Sequence, residues 1–149
     1  MCNLLYLSTT GDLVPSQCNH SGFLFFEKIT REDYPRIGEV LLYDNLWFVS
    51  NKQGGCSCGF RNTHNDISDF GFYEPLDWAK EEEENIIATK LLYQVIRGLL
   101  DSGHGVDILE DWDELPPEEF SEMEVDLNEV REEQLVFYVN SHYVFKAGS

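Results

Sequence analysis

Two thiols stand two residues apart in a glycine-flanked segment, Gly54-Gly55-Cys56-Ser57-Cys58-Gly59-Phe60-Arg61. Thiolates bind metal ions and act as nucleophiles, so this segment is the first place to look for chemistry. On a β-strand, Cys56 and Cys58 share one face with Phe60, because successive side chains alternate between the two faces. Three interpretations follow: a pair of buried core thiols, a metal site, or a reactive thiol.

The first interpretation requires only packing. Free cysteine is among the residue types most often buried, and it behaves in a core as a small apolar side chain. Two such side chains beside the ring of Phe60 fit the inner face of a sheet. The general tendency of free cysteine to be buried therefore favours core thiols at Cys56 and Cys58.

The second interpretation is a zinc site. The segment Cys18-Asn19-His20 repeats the two-residue spacing, and thiolate and imidazole are ligands that zinc accepts at tetrahedral corners. Paired ligands of structural zinc sites usually have at least two residues between them, whereas each pair here has one. Cys2 or His64 can replace a member of the set. Zinc is the alternative cofactor, and otherwise no cofactor is predicted. The proposed ligands are Cys18, His20, Cys56 and Cys58.

The third interpretation makes one of these thiols a nucleophile. Arg61 stands close enough in sequence to lower a thiol pKa, and a histidine could act as the base. On an ideal strand, however, Arg61 points to the face opposite both cysteines. The chain also has no Gly-x-Ser-x-Gly, His-Glu-x-x-His, phosphate-loop or dinucleotide motif. The sequence therefore favours a non-enzymatic protein.

Negative charge is concentrated in the second half of the chain. The formal net charge is -18, of which residues 1–70 contribute -3 and residues 71–149 contribute -15. Residues 107–133 hold thirteen carboxylates against one basic residue, Arg131. Such a field repels nucleic acid and anionic membranes and attracts basic surfaces. We expect a basic protein partner and no direct binding of nucleic acid or membrane.

The start of this acidic segment is the predicted partner-binding surface, in a loop over residues 110–119. Trp112 stands among carboxylates, and an exposed aromatic side chain ringed by charge is typical of an interface anchor. Trp112 can equally turn inward and cap the core. The segment lacks the spacing and central glycine of a calcium loop. The predicted contact residues are Asp107, Glu110, Asp111, Trp112, Asp113 and Glu114.

Length and composition predict one globular domain over residues 1–149. Hydrophobic residues make up 42% of the chain, which is too many for a disordered protein. No apolar run approaches the roughly 20 residues that cross a bilayer, and the N-terminus lacks the features of a secretion signal. The four cysteines are therefore expected to be reduced thiols in the cytoplasm.

Hydrophobic periodicity predicts the elements that position these groups. Ile87, Leu91, Val95 and Leu99 recur at helical spacing within a predicted helix over 80–101, and Gly103 is expected to end it. The region 128–138 fits either a short helix or a strand. The fold class is α+β, with a mainly antiparallel sheet packed against one long amphipathic helix. Strands are predicted at 2–8, 23–29, 40–43, 46–50, 56–60, 106–109, 123–127 and 142–146, with 40–43 and 46–50 forming a hairpin.

Four segments together resemble a family of small acidic bacterial proteins of unassigned function. They are Met1-Cys2-Asn3-Leu4-Leu5-Tyr6-Leu7-Ser8-Thr9-Thr10, Gly55-Cys56-Ser57-Cys58-Gly59-Phe60-Arg61, Gly71-Phe72-Tyr73-Glu74-Pro75-Leu76-Asp77-Trp78, and Val106-Asp107 after the helix. The resemblance spans most of the chain, and the second segment is its most specific part. It implies a stand-alone bacterial domain and brings no activity, cofactor or partner with it.

Overall fold

The computed structural model describes residues 4–11, 19–20, 24–50, 60–63, 72 and 83–146. These ranges contain one long helix and a large, mostly antiparallel sheet, so the predicted α+β class is confirmed. Two short 3-10 helices occupy Pro117–Glu119 and Leu127–Glu129. The strands and α-helices are β1 Leu4–Thr9, β2 Asn19–His20, β3 Leu24–Ile29, α1 Pro35–Val40, β4 Asn45–Ser50, β5 Asn62–Thr63, α2 Glu83–Asp101, β6 Val106–Asp111, β7 Ser121–Asp126, β8 Phe137–Tyr138 and β9 Ser141–Lys146.

Seven of the strands form one sheet in the order β2-β3-β4-β1-β6-β9-β7. Neighbouring strands are antiparallel except β7 and β9, which run parallel with Ser121 opposite Ser141. β1 and β6 are the central strands, with Leu5 opposite Glu110. In the part of the chain that the structure describes, β7 forms one edge of this sheet. The remaining strands, β5 and β8, pair in parallel as a separate ribbon.

The helix α2 covers one face of the sheet. Its apolar stripe is buried against Leu5 and Leu7 of β1 and Val106 and Ile108 of β6, because alternate residues of each strand point to this face. This burial confirms the helix predicted from its apolar spacing. None of the helices among the described residues combines the length and the apolar composition needed to cross a membrane. The buried residues of α2 are Ala88, Thr89, Leu92, Val95, Ile96 and Leu99.

Gly103 ends α2 as predicted. Its φ of 87° lies in the left-handed region, which glycine adopts without steric cost. The amide of Gly103 donates to the carbonyl of Leu100, and the amide of His104 donates to that of Leu99. This pair of hydrogen bonds is the Schellman arrangement, which satisfies the last carbonyls of the helix and turns the chain into β6.

The opposite face of the sheet carries a second, smaller core. Tyr6 of β1, Leu46 of β4 and Leu109 of β6 pack there with Ile37 of α1 and with Phe120. Because both faces are covered, β1 and β6 are buried along almost their whole lengths. Any polar residue of β6 is therefore buried, whichever face it points to.

The structure corrects two sequence predictions in this region. Residues 40–43 do not form a hairpin with 46–50, because α1 extends to Val40 and β4 pairs with β1 and β3. Arg31 holds the turn after α1 by donating to the carbonyls of Leu41 and Tyr43. In addition, β6 extends to Asp111, so Glu110 and Asp111 belong to a strand and not to the predicted loop.

Candidate functional site

The predicted metal ligands Cys18, Cys56 and Cys58 lie outside the described residues. His20 belongs to β2, where it pairs with Leu24, and its side chain is not described. Among the residues that are described, no three histidine, cysteine, aspartate or glutamate side chains are grouped so that they could hold a metal ion. The zinc site therefore stays a prediction.

Arg61, the candidate activator of the thiols, is buried and joins three parts of the chain. Its side chain is buried, and Nη1 donates to the carbonyls of Glu133 and Leu135 at 3.0 Å each. Its amide donates to Thr89 Oγ1 of α2 at 2.9 Å, and its carbonyl accepts from Phe137 of β8. These bonds fasten the segment after the two thiols to α2 and to the ribbon strand β8.

Three of the six predicted partner contacts are buried, which corrects the expectation of one exposed acidic surface. Asp107 and Glu110 have no exposed surface, and Asp111 is only 2% exposed. A buried carboxylate must find internal partners or keep its proton, because transferring the charge from water costs several kcal/mol. Trp112 is half-buried, and only Asp113 and Glu114 are exposed. The free-energy cost of burial is offset in a different way for each of the three carboxyl groups.

Asp107 is held by hydrogen bonds from three parts of the chain. Ser8 of β1 donates its hydroxyl to Oδ1. His142 of β9 places Nε2 2.6 Å from Oδ2, and the amide of Leu42 donates to the same oxygen at 3.0 Å. The amide of Tyr43 donates in turn to Ser8 Oγ at 3.1 Å. Asp107 thus ties the turn after α1 to the middle of the sheet.

Serine, aspartate and histidine also make up the hydrolase triad, but their order here is different. In a nucleophilic triad the imidazole lies between the hydroxyl and the carboxylate, so that it can take the hydroxyl proton. In this protein the carboxylate of Asp107 lies between Ser8 and His142. Ser8 is also fully buried, where no substrate reaches it. This arrangement orients the chain and does not activate a nucleophile.

Asp111 is paired with Arg36 of α1. Arg36 Nη2 lies 2.6 Å from Oδ2 and Nη1 lies 3.4 Å from Oδ1, so the guanidinium spans both carboxylate oxygens. Nη1 also donates to the carbonyl of Leu115 at 3.0 Å. The amide of Glu114 donates to Asp111 Oδ1 at 3.2 Å. The hydrogen bond with Asp111 raises the pKa of Arg36, and the charge of each partner is matched by the other.

Glu110 is the third buried carboxyl group, and it has no such partner. It points to the α2 face between Leu5 and Ser141 of the neighbouring strands. Both of its oxygens are buried without a hydrogen-bond partner in the structure as described. Burial, and secondarily the charge of Asp111, raises the pKa of Glu110 to about 8. The group is therefore mostly protonated at neutral pH, which avoids burying an unpaired charge.

The turn after β6 is shaped by Asn140. Its Oδ1 accepts from the amides of Trp112 and Asp113 at 3.1 and 3.0 Å, and its Nδ2 donates to Asp113 Oδ2 at 2.8 Å. Asn140 and Glu114 both have positive φ, 55° and 54° respectively. Non-glycine residues rarely adopt this backbone conformation, although asparagine does so more readily than glutamate. The turn therefore holds Glu114 in a strained position above α1.

Glu114 stands at the rim of a small cleft between α1 and the start of β1. The cleft has a volume of about 280 Å³ and is called the tyrosine cleft below. The rings of Tyr6 and Tyr34 form part of its wall, with centroids 6.0 Å apart. Burial, and then the charge of Asp111, raises the pKa of Tyr6 to about 12. The residues that line the cleft include Tyr6, Tyr34, Pro35, Arg36, Asp111 and Glu114.

A second group of carboxylates is exposed on the edge strand. Glu122, Glu124 and Asp126 alternate along β7 and point away from α2, because the intervening Met123 and Val125 pack on the α2 face. Glu122 and Glu124 are exposed and Asp126 is half-buried. These three residues are called the acidic edge below. Three exposed glutamates flank it in sequence: Glu118, Glu119 and Glu129.

Lys146 of the neighbouring strand β9 approaches the acidic edge. Lys146 Nζ approaches Glu124 Oε2 at 3.3 Å, but the two side chains are 57% and 71% exposed. Such a solvent-exposed ion pair contributes only a few tenths of a kcal/mol, since water screens both charges. Asp126 has a structural role as well, because its side chain accepts from the amide of Asn128 at 3.0 Å and caps a 3-10 helix.

Sequence reasoning missed the hydrogen-bonded group around Asp107 and the tyrosine cleft. A signal for the first was present: Asp107 stands between Val106 and Ile108, and an acid inside an apolar run points to a buried carboxyl group. No signal pointed to Arg36 as the partner of Asp111, because 75 residues separate them. The acidic edge was visible as an alternation of acidic and apolar residues at 122–127.

Comparison with known proteins finds no matching family model, no similar curated protein and no similar solved structure.

Proposed function

We propose that this protein is a non-enzymatic binding protein that masks a basic surface of a partner macromolecule. The acidic edge is the observation that carries the proposal. It places three carboxylates side by side on one face of an edge strand. Inhibitors and immunity-type proteins, which occupy the cationic cleft of another macromolecule, depend on such charge complementarity.

The distribution of carboxylates supports this surface over the one predicted from sequence. Asp107 and Asp111 are held by internal partners, and Glu110 is mostly protonated. These three groups therefore offer little negative charge to a partner. The side chains of Glu122 and Glu124 are directed to solvent, where their charges act at long range.

The position of β7 gives a partner a second means of contact. The strand pairs with β9 on one side, and in the described part of the chain no strand pairs with its other side. An edge strand offers backbone donors and acceptors to an incoming extended segment. A basic segment of the partner would pair its charges with the acidic edge while it bonds to this backbone. Nucleic acid would be repelled, because its phosphates carry the same sign of charge.

The experiment compares two variants that lose the same charge at different places. The edge variant combines Glu122→Gln, Glu124→Gln and Asp126→Asn; asparagine keeps the capping oxygen at position 126. The control variant combines Glu27→Gln, Glu32→Gln and Asp33→Asn, all at exposed positions around the end of β3. Each protein is immobilised and exposed to an extract of the cells that produce it, and retained proteins are identified by mass spectrometry.

The wild type and the control variant should retain the same basic protein, and the edge variant should lose it. Retention should fall in 0.5 M salt, because the Debye length is then about 4 Å and charges farther apart are screened. Equal retention by the edge variant, or retention of a partner without a basic surface, would contradict the proposal.

A further inference from the structure

We infer that the tyrosine cleft receives an arginine side chain of the partner. This inference rests on the proposed function, since the arginine would belong to the basic surface that the protein masks. The occupant is indicated by the chemistry of the cleft: two aromatic walls, one unpaired hydroxyl and one uncompensated carboxylate.

The hydroxyl of Tyr6 indicates that the cleft accepts a polar group. Tyr6 is 6% exposed, yet no hydrogen bond to its hydroxyl is found among the described residues. The hydroxyl is not one of the buried polar atoms without a partner, which among the described residues are Trp47 Nε1 and the two Glu110 oxygens, so it is open to the cleft. Polar groups in such positions are normally bonded to protein, water or ligand. Because Tyr6 lines the cleft, its hydroxyl is available to a donor that enters there.

The charges in the cleft favour a cation over an anion. Arg36 is the cationic group of the wall, and its guanidinium is engaged by Asp111 and the carbonyl of Leu115. The Glu114 carboxylate is exposed and has no ion-pair or hydrogen-bond partner among the described residues. Among the described residues that line the cleft, the charges of Arg36, Asp111 and Glu114 therefore sum to one net negative charge. Burial is the main cause of the raised pKa of Tyr6, and the charges of Asp111 and Glu114 raise it further.

The aromatic walls favour arginine over lysine. The rings of Tyr6 and Tyr34 are tilted by 55° to each other, and Tyr34 is 38% exposed. A planar guanidinium can lie on the face of one ring while its five N–H groups reach both the Tyr6 hydroxyl and the Glu114 carboxylate. A lysine ammonium is a compact charge that does not stack in this way.

The strained turn fixes the position of the carboxylate. Glu114 has a φ of 54°, and its amide is held by Asp111, the same carboxylate that engages Arg36. Backbone strain of this kind persists only where surrounding bonds impose it, and it often marks a binding site. Asp111 thus neutralises Arg36 and places Glu114 at the rim, so that both features of the cleft depend on one buried group.

The test uses N-acetyl-arginine amide as the probe, with N-acetyl-citrulline amide and N-acetyl-lysine amide as comparisons. Each is titrated into the full-length protein and followed by the amide resonances in NMR. We expect saturable shifts for the arginine probe at Tyr34, Arg36 and Glu114, with little response to the neutral citrulline probe. Binding of the citrulline or the lysine probe with equal affinity would overturn the assignment of arginine.

Variants locate the site. Glu114→Gln should weaken arginine binding about threefold, as expected for an exposed ion pair. Tyr6→Phe should weaken it about fivefold through the lost hydrogen bond. Glu118→Gln removes a neighbouring exposed carboxylate outside the cleft and should leave the affinity unchanged, and thermal unfolding confirms that each variant is folded. Unchanged affinity in both cleft variants would overturn the inference.

The edge variant separates this inference from the proposed function. It should bind the arginine probe with wild-type affinity, because the acidic edge lies outside the cleft. If the basic partner is retained by the wild type and lost by the edge variant while the probe fails to bind, the inference is overturned and the proposed function stands. If the probe binds at the cleft while the edge variant retains the partner as well as the wild type does, the arginine site stands and the acidic edge is excluded.

Discussion

Replacing Glu110 by glutamine should change how the stability of the protein depends on pH. Glu110 has no exposed surface and no hydrogen-bond partner for either oxygen among the described residues, and burial raises its pKa from 4.5 to about 8. Between these two values the folded state keeps the proton and the unfolded state releases it. The stability that this group contributes is therefore fully present below pH 4.5 and is lost as the pH rises towards 8.

The size of the effect follows from the width of this window. Each pKa unit corresponds to 1.36 kcal/mol, so a shift from 4.5 to about 8 is worth roughly 5 kcal/mol over the full window. Between pH 5 and pH 8 the free energy of unfolding should fall by roughly 3.5 kcal/mol through this group alone. The Glu110→Gln variant does not titrate here, so the wild type should lose this amount relative to it.

The assay is urea unfolding of the wild type and the variant at pH 5, 6, 7 and 8 and constant ionic strength. Taking the difference between the two proteins at each pH removes the contribution of all other titrating groups. Glu118→Gln serves as the control, because Glu118 is exposed. A wild-type minus variant difference that stays constant within about 0.5 kcal/mol would refute the reasoning, since it would mean that Glu110 titrates alike in both states.

Two further substitutions test the buried carboxylates. Asp107→Ala should lower the free energy of unfolding by about 3 kcal/mol, because it leaves buried donors of Ser8 and Leu42 unpaired, and hydrogen exchange at the Leu42 amide should become faster. A loss below 1 kcal/mol with unchanged exchange would contradict the role given to Asp107. Arg36→Met should also cost about 3 kcal/mol in urea unfolding, because Asp111 then stays buried without its cation. Stability equal to that of the wild type would show that the pair of Arg36 and Asp111 does not stabilise the fold.

The regular elements were largely visible in the sequence. The long helix was predicted from apolar residues at helical spacing, and the strands β1, β3, β7 and β9 from runs or alternations of apolar residues. These signals are local, because a helix or strand that buries one face repeats apolar residues at its own structural period. Gly103 likewise marked the end of α2, since the left-handed backbone there suits glycine.

The missed helix α1 shows where local signals fail. It has six residues, too few for a helical period to emerge, and the apolar run that follows Val40 suggested a strand. Its end is set from outside by Arg31, which donates to the carbonyls of Gly38, Leu41 and Tyr43. A sequence pattern does not reveal which carbonyls a guanidinium 7 to 12 residues away will reach.

The candidate site was also only partly predictable, because its contacts join residues that are far apart in the sequence. The sequence predicts that a run of carboxylates is exposed, because charged residues are rarely buried unless they are paired. Two of the pairs here are formed across the fold, between Asp107 and His142 and between Asp111 and Arg36. The third buried group, Glu110, escapes pairing by keeping its proton. Only tertiary structure separates these three from the exposed carboxylates of the acidic edge.

The association rate of the basic partner, measured by stopped flow over a range of ionic strength, tests the role of the acidic edge most directly. Charges that steer association act on this rate and are screened by salt. The wild type and the control variant should associate at the same rate in low salt and slow by about tenfold or more as salt is raised. The edge variant should associate more slowly in low salt and respond less to it. Equal rates and equal salt dependence for the edge variant and the control variant would contradict the proposed function.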